Sequence, residues 1–116
     1  MFGINKVILV GKVVEKSQLY KVNGDKIVVF IETSETWTDK RSGERKEKIE
    51  RHRVVIHDTF AKLVEKYIYK EYMLHIEGKI CAKKLRYEDG SDRLLNEIEV
   101  KAHNGGIIQL ISKKQI

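Results

Sequence analysis

Proline is absent from this chain, and cysteine and tryptophan each occur once among its 116 residues. Without proline, turns must be made by Gly, Asn, Asp and Ser. A single cysteine, Cys81, excludes an intrachain disulfide and suits a reducing compartment. No apolar run approaches the ~20 residues of a membrane span, so a membrane partner is not expected. The first residues, Met1-Phe2-Gly3-Ile4-Asn5-Lys6, lack the basic-then-apolar layout of a signal peptide. These readings together place the protein in the cytoplasm.

What is present is β-forming and basic. Hydrophobic residues make up 41%, in keeping with a globular chain, and 116 residues fit one domain over 1–116. Lys plus Arg number 23 against 17 Asp plus Glu, a net charge of +6. That balance favours a polyanionic partner.

Short runs rich in β-branched residues predict strands over Lys6–Val14, Lys26–Ser34, Ile49–His57, Tyr72–Leu85 and Leu94–Ala102, with a last β piece over Ile107–Ile111. Asn23-Gly24-Asp25 is a hairpin signal, and Gly78 marks a bend. Asp58-Thr59 offers a cap for a helix from Phe60 to about Tyr69, with Leu63, Val64, Tyr67 and Ile68 at helical spacing. Three strands, one helix and two strands is the order of an OB-fold: an all-β, five-stranded Greek-key barrel with one short helix between its third and fourth strands. A long hairpin arm joins the second and third.

That arm, Thr33 to Lys48, carries the only tryptophan at its root. Trp37 would be wasted as core beside Lys40, Arg41, Arg45, Lys46 and Lys48. A flat π-face beside cations suits an unpaired base and its phosphates. Strand alternation puts Val54 and Ile56 inside with His52 on their face, and Arg51, Arg53, Val55 and His57 outside. On the next long strand it puts Leu74, Ile76, Gly78, Ile80 and Ala82 inward. Lys79 and Lys83 point outward, and Arg86 and Tyr87 continue past the strand end.

Catalytic readings are weak. Glu77-Gly78-Lys79 has the Glu-x-Lys spacing of some metal-dependent nucleases, with Asp58 the only loose acidic partner. His52, His57, His75 and His103 are not spaced as a zinc site, and one cysteine cannot complete one. No Walker-type loop or Gly-x-Ser-x-Gly elbow occurs. Neither an enzyme nor a bound cofactor is expected.

The chain resembles the bacterial single-stranded DNA-binding protein family. The resemblance rests on Asn5-Lys6-Val7-Ile8-Leu9-Val10-Gly11, Asn23-Gly24, Thr33 to Lys40, Ser42 to Glu47, His52-Arg53-Val54-Val55, Val64 to Tyr67, Ile76-Glu77-Gly78, Lys83-Lys84 and Asp92-Arg93. It covers nearly the whole chain in order. It implies an OB-fold homotetramer that binds and protects single-stranded DNA irrespective of sequence, in replication, recombination and repair. By resemblance Trp37 stacks a base. Lys6, Tyr20, Lys40, Lys46, Arg53, Lys83 and Lys84 match positions on or near the strand path, and His52 matches a histidine near subunit contacts. With Arg51 and Arg45 added from alternation and the arm, these are the candidate site residues.

The departures are informative. Arg51 and Leu85 stand where the family commonly has two further tryptophans, and His57 where it has an aromatic. Tyr87 and Phe60 are the candidate replacement platforms. A weaker, more salt-sensitive binder than a typical member is expected. Members usually continue into a flexible linker and an acidic tip that recruits replication and repair enzymes. This sequence closes on Lys113-Lys114-Gln115-Ile116, so such recruitment is not carried over. Two alternatives remain open: a primosomal-type accessory module acting as a dimer, and an assembly module that has lost DNA binding.

Overall fold

The computed structural model describes residues 2–114. Met1, Gln115 and Ile116, on which the readings of the chain ends partly rest, lie outside the described residues. The strands are β1 (Val7–Lys16), β2 (Tyr20–Lys21), β3 (Asp25–Thr38), β4 (Arg45–His57), β5 (Met73–Arg86), β6 (Asp92–Val100) and β7 (Ile107–Ser112). One helix, α1 (Asp58–Tyr67), lies between β4 and β5. The sheet runs β1-β3-β4-β6-β5 and closes through pairing of β1 with β5. All neighbours in this ring are antiparallel except β4 and β6, which pair in parallel at Val54↔Ile98, Val55↔Glu99 and Ile56↔Val100. This is a closed five-stranded OB barrel with the helix where the sequence order put it. β2 forms a hairpin on β3, turning at Asn23 (φ 56°) and Gly24 (φ 105°). β7 lies along the other edge of β5.

The core is aliphatic. Ile27, Val29, Ile31, Val54, Ile56, Leu74 and Ile76 pack inside, and Ala61, Val64 and Ile68 of the helix segment complete the cluster. No side chain caps the start of α1: the helix begins at Asp58 itself, so the cap expected from Asp58-Thr59 is not made. Its C-terminal end is held differently. Lys16 Nζ donates to the carbonyls of Ile68 (2.7 Å), Glu65 (3.1 Å) and Val64 (3.5 Å), a cation placed against the negative end of the helix.

Gly78 is less a bend than a close approach. It ends the stretch of β5 paired with β1, and β6 pairing begins at the next residue, Lys79↔Glu99. A Cβ there would strike the Glu99 carbonyl oxygen. Gly78→Ala therefore forces β5 and β6 apart at the barrel seam. We expect a loss of about 1–3 kcal/mol in denaturant unfolding, where an unchanged midpoint would remove this role.

Beyond the Ile80↔Ile98 pair, where β6 is no longer paired with β4, β5 and β6 leave the barrel wall as a hairpin. This corrects the expected facing of Ile80 and Ala82, which are exposed, Ile80 at the last pair of the wall and Ala82 past it. Val55 and His57 also depart from expectation. They share the outer face with Arg53 but are buried, Val55 between Val28 on β3 and Glu99 on β6.

Candidate nucleic-acid interface

The arm is a β-ribbon, longer than the strands predicted at its base. β3 and β4 stay in register from Lys26↔His57 to Thr38↔Arg45. Thr33, Thr36, Trp37 and Thr38 favour extended backbone, and Glu35 lies across from Lys48. The tip is closed by Asp39, whose N–H donates to the Glu44 carbonyl (2.8 Å) and whose carbonyl accepts from Gly43 N–H (2.8 Å). Asp39 Oδ1 accepts the Arg41 N–H at 2.9 Å, and Gly43 supplies the positive φ of 73°.

Trp37 is 47% exposed, directly across from Lys46. The indole is thus a half-open surface on a highly charged ribbon, where Lys40, Arg41, Arg45, Lys46 and Lys48 stand against Glu35, Asp39, Glu44 and Glu47. Lys46 reaches Glu44 (3.5 Å), Lys48 reaches Glu50 (3.3 Å), and Arg45 Nη2 donates to Thr36 Oγ1 (3.4 Å). The register adds what the composition did not. Trp37, Glu35 and Thr33 continue the face that Ile31 and Val29 present to the core, while Arg51 and Arg53 continue the other face. Indole and arginines therefore start on opposite sides of the ribbon, and a bound strand must cross its edge to meet both.

On the arginine side two adjoining cavities form a trough. One, of about 550 Å³, is lined by Arg53, Lys83, Leu85, Leu95, Asn96 and Glu97. The other, of about 500 Å³, adds Arg51, His52, Ile80 and Ile98 and shares Arg53, Asn96 and Glu97. Leu85 and Leu95 are 42% and 46% exposed, an apolar floor beside Arg53 and Lys83, while Ile80 (50%) and Ile98 line the second cavity from the opposite face of the β5–β6 pair. Leu85 thus occupies the trough with an aliphatic side chain where the sequence comparison expected an indole.

The cations of this trough are paired. Arg53 Nη1 donates to Glu97 Oε2, and Lys83 Nζ lies 2.7 Å from Glu97 Oε1 and 3.9 Å from Glu99. Glu97 is 8% exposed. The carboxylate so close to it raises the Lys83 ammonium above its ordinary range. Arg51 contacts Glu32 at 3.9 Å. Lys84 falls on the opposite face of β5 from Lys83 and pairs with Asp92 (3.2 Å).

The remaining candidates are scattered. Lys6 is tied to Glu77 (2.8 Å), which also meets His75 Nε2 (2.9 Å), so the carboxylate of the Glu77-Gly78-Lys79 triplet is engaged in ion pairs. The hydrogen bonds from Lys6 and then His75 hold the Glu77 carboxyl below its usual range. Tyr20 pairs with Lys26, at the far end of β3 from Trp37. Phe60 packs against the core and lines an apolar pocket with Leu63, Tyr67 and Leu110, away from the arm. Tyr87 is 40% exposed at the β5–β6 turn, with the Arg93 guanidinium 4.7 Å from its ring centre. Arg93, Asn96, Glu97 and Glu99 were not singled out from sequence. The signal was available: acidic residues at 97 and 99 alternate as the basic residues at 79 and 83 do, so paired strands bring opposite charges onto one face.

His57 sits in this charged face, 3.3 Å from Glu99 and 6% exposed. Burial depresses its imidazole below the ordinary value, only partly offset by Glu99. A depressed histidine contributes stability above its unfolded value of about 6.5 and loses it as pH falls through the folded one. The expected outcome is an acid-induced drop in unfolding midpoint below about pH 6.5 that is smaller in His57→Phe. Identical pH profiles for the two proteins would contradict it.

The model of the Single-strand binding protein family matches residues 4–105. Among solved structures, a Plasmodium falciparum SSB in complex with ssDNA superposes with a TM-score of 0.85 at 24% identity, covering 97% of this chain and 98% of that one. The mitochondrial single-stranded DNA binding protein of S. cerevisiae gives 0.68 at 12% identity, over 96% and 98%. A deletion mutant of the Thermus aquaticus single-stranded DNA binding protein gives 0.76 at 17% identity, covering 95% of this chain and 51% of that one. At these identities the superpositions speak to the fold, while the family match spans most of the sequence. An OB barrel with a basic β-ribbon arm and an open indole, matched to that model from its first turns to beyond β6, belongs to the single-strand binding protein family.

Proposed function

We propose that this chain binds single-stranded DNA without reading its sequence and protects it during replication, recombination and repair. Binding of single-stranded DNA is the common property of the family, whose members act by binding and not by catalysis. The exposed Trp37 indole carries the reading: it offers stacking to any base, since every base has a π-face. Lys40, Arg45 and Lys46 on the arm capture phosphates, and Arg51, Arg53 and Lys83 line the second part of the path. Lys84, Lys6 and Tyr87 lie at its margins. The positions of Tyr20 and Phe60 favour no direct role for either.

A homo-oligomer, and specifically a tetramer, accords with the outer face of β1 and β7. Ile8 and Val10 of β1 and Ile107 of β7 are 56%, 49% and 42% exposed there, apolar side chains flanking His75 and Glu77 of β5. Among the described residues no helix is long and apolar enough to cross a membrane. We place the protein in the cytoplasm, in keeping with its single cysteine. An assembly module that has lost DNA binding is a second reading, favoured by the carboxylate pairing of Arg53 and Lys83.

Fluorescence anisotropy with labelled single strands of equal length and different sequence separates these readings. The proposal expects affinities within a few-fold of one another and much weaker capture of a duplex. Absence of binding to any strand at low salt supports the assembly module instead.

A further inference from the structure

The trough presents a contradiction in charge. Arg53 and Lys83, its two best-placed cations, both close on one carboxylate, Glu97, on the neighbouring strand. Glu97 is 8% exposed, whereas the Arg53 and Lys83 side chains are 47% and 42% exposed. The carboxylate is therefore fixed at the back of the site, and the cations reach past it to solvent. Glu97 pairs across β5 with Cys81, two residues from Lys83, and lies one residue before the parallel pair Val54↔Ile98 that sets Arg53 beside it. Backbone register, not chance side-chain placement, makes the three groups meet.

We propose that Glu97 is a built-in counter-charge that occupies Arg53 and Lys83 when no strand is present, so that phosphate capture at the trough is an exchange of carboxylate for phosphate. This rests on the single-stranded DNA reading above. A carboxylate and a phosphate compete for the same donors, and Arg binds either through the same fork. Glu97 is held from following the cations outward: its backbone pairs with Cys81 of β5, and from the next residue, Ile98, its strand is paired with β4 as well. Each phosphate must therefore draw a cation off a fixed partner, which lowers net affinity and weakens adventitious binding of small anions. Glu99, 3.9 Å from Lys83 and 3.3 Å from His57, stays behind as a second acceptor and keeps the site from becoming a bare cationic patch when Glu97 is replaced.

The test compares wild type with Glu97→Gln in titrations of poly-thymidine followed by Trp37 emission, at low and at raised ionic strength. Gln keeps the shape and removes the charge. The expected result is roughly tenfold tighter binding for Glu97→Gln at low salt, equivalent to ~1.4 kcal/mol. The gain should shrink as salt screens the freed cations. Equal or weaker binding by a variant with wild-type circular dichroism and subunit mass overturns the proposal. A second measurement needs no variant. In carbon-13-labelled wild type, the Glu97 carboxyl resonance should move when an oligothymidine is added, because its partners leave. A resonance unmoved at saturation overturns the exchange even if Glu97→Gln does not fold. If wild type itself binds no strand, the proposed function fails, an outcome distinct from wild-type binding that Glu97→Gln leaves unimproved.

Discussion

Trp37→Ala should lower affinity for poly-thymidine by roughly fivefold to a hundredfold, the range set by ~1–3 kcal/mol per stacked base. Trp37 has no second indole to share its role, since Arg51 and Leu85 occupy the other places where the resemblance expected one. The loss should appear at low and high salt alike, because stacking is not screened. Thermal stability should change little, as the side chain is half open and stands on the arm, outside the core cluster. Trp37→Phe should recover part of the affinity by restoring a smaller π-face. Isothermal calorimetry with a short oligothymidine distinguishes these outcomes. Affinity unchanged in Trp37→Ala would take the indole out of the binding path.

Salt dependence should be the largest effect of all. Each phosphate held on a single strand contributes about −0.7 to the slope of log affinity against log salt. With Lys40, Arg45, Lys46, Arg51, Arg53 and Lys83 engaged, the slope is about −4. Affinity then falls by roughly a hundredfold or more between about 50 and 200 mM salt. Aliphatic Leu85 and Leu95 in the trough contribute contact but no π-face, so charge must carry a larger share than in a site built on several aromatics. Reversing Lys40 and Lys46 to Glu should flatten the slope by more than one unit. Those residues stand on the arm, so the barrel's stability should be unaffected. A slope near zero in wild type would contradict the electrostatic part of the account.

The fold was legible because it is written in local patterns. β-branched runs alternate with Gly, Asn and Asp turns, and one amphipathic segment sits in the middle of the chain. Those patterns give strand order, and strand order with one helix gives the barrel. The arm's exposed indole was legible for the same reason: a lone tryptophan among cations has little to bury against. Three features lay beyond the local pattern. The ribbon's extent depends on cross-strand pairing, so Ser34 and Ile49, the predicted strand ends, are simply mid-strand residues paired with each other. The exposure of Ile80 and Ala82 depends on where β5 and β6 leave the barrel wall, which no alternation rule contains. The pairing of Arg53 and Lys83 with Glu97 depends on a parallel contact between β4 and β6, strands separated by the helix and by β5. Counting cations along a strand overstates a basic groove when the neighbouring strand returns the opposite charge.

The central claim is that an open indole on a basic ribbon holds melted polynucleotide of any sequence. Its most direct test is the emission of Trp37, the sole tryptophan, during titration with poly-thymidine, with binding tracked in parallel by the anisotropy of a label on the nucleic acid. Saturable quenching should follow the anisotropy point for point and be reversed by added salt. Anisotropy that saturates while the emission stays constant would place the strand elsewhere on the protein and contradict it.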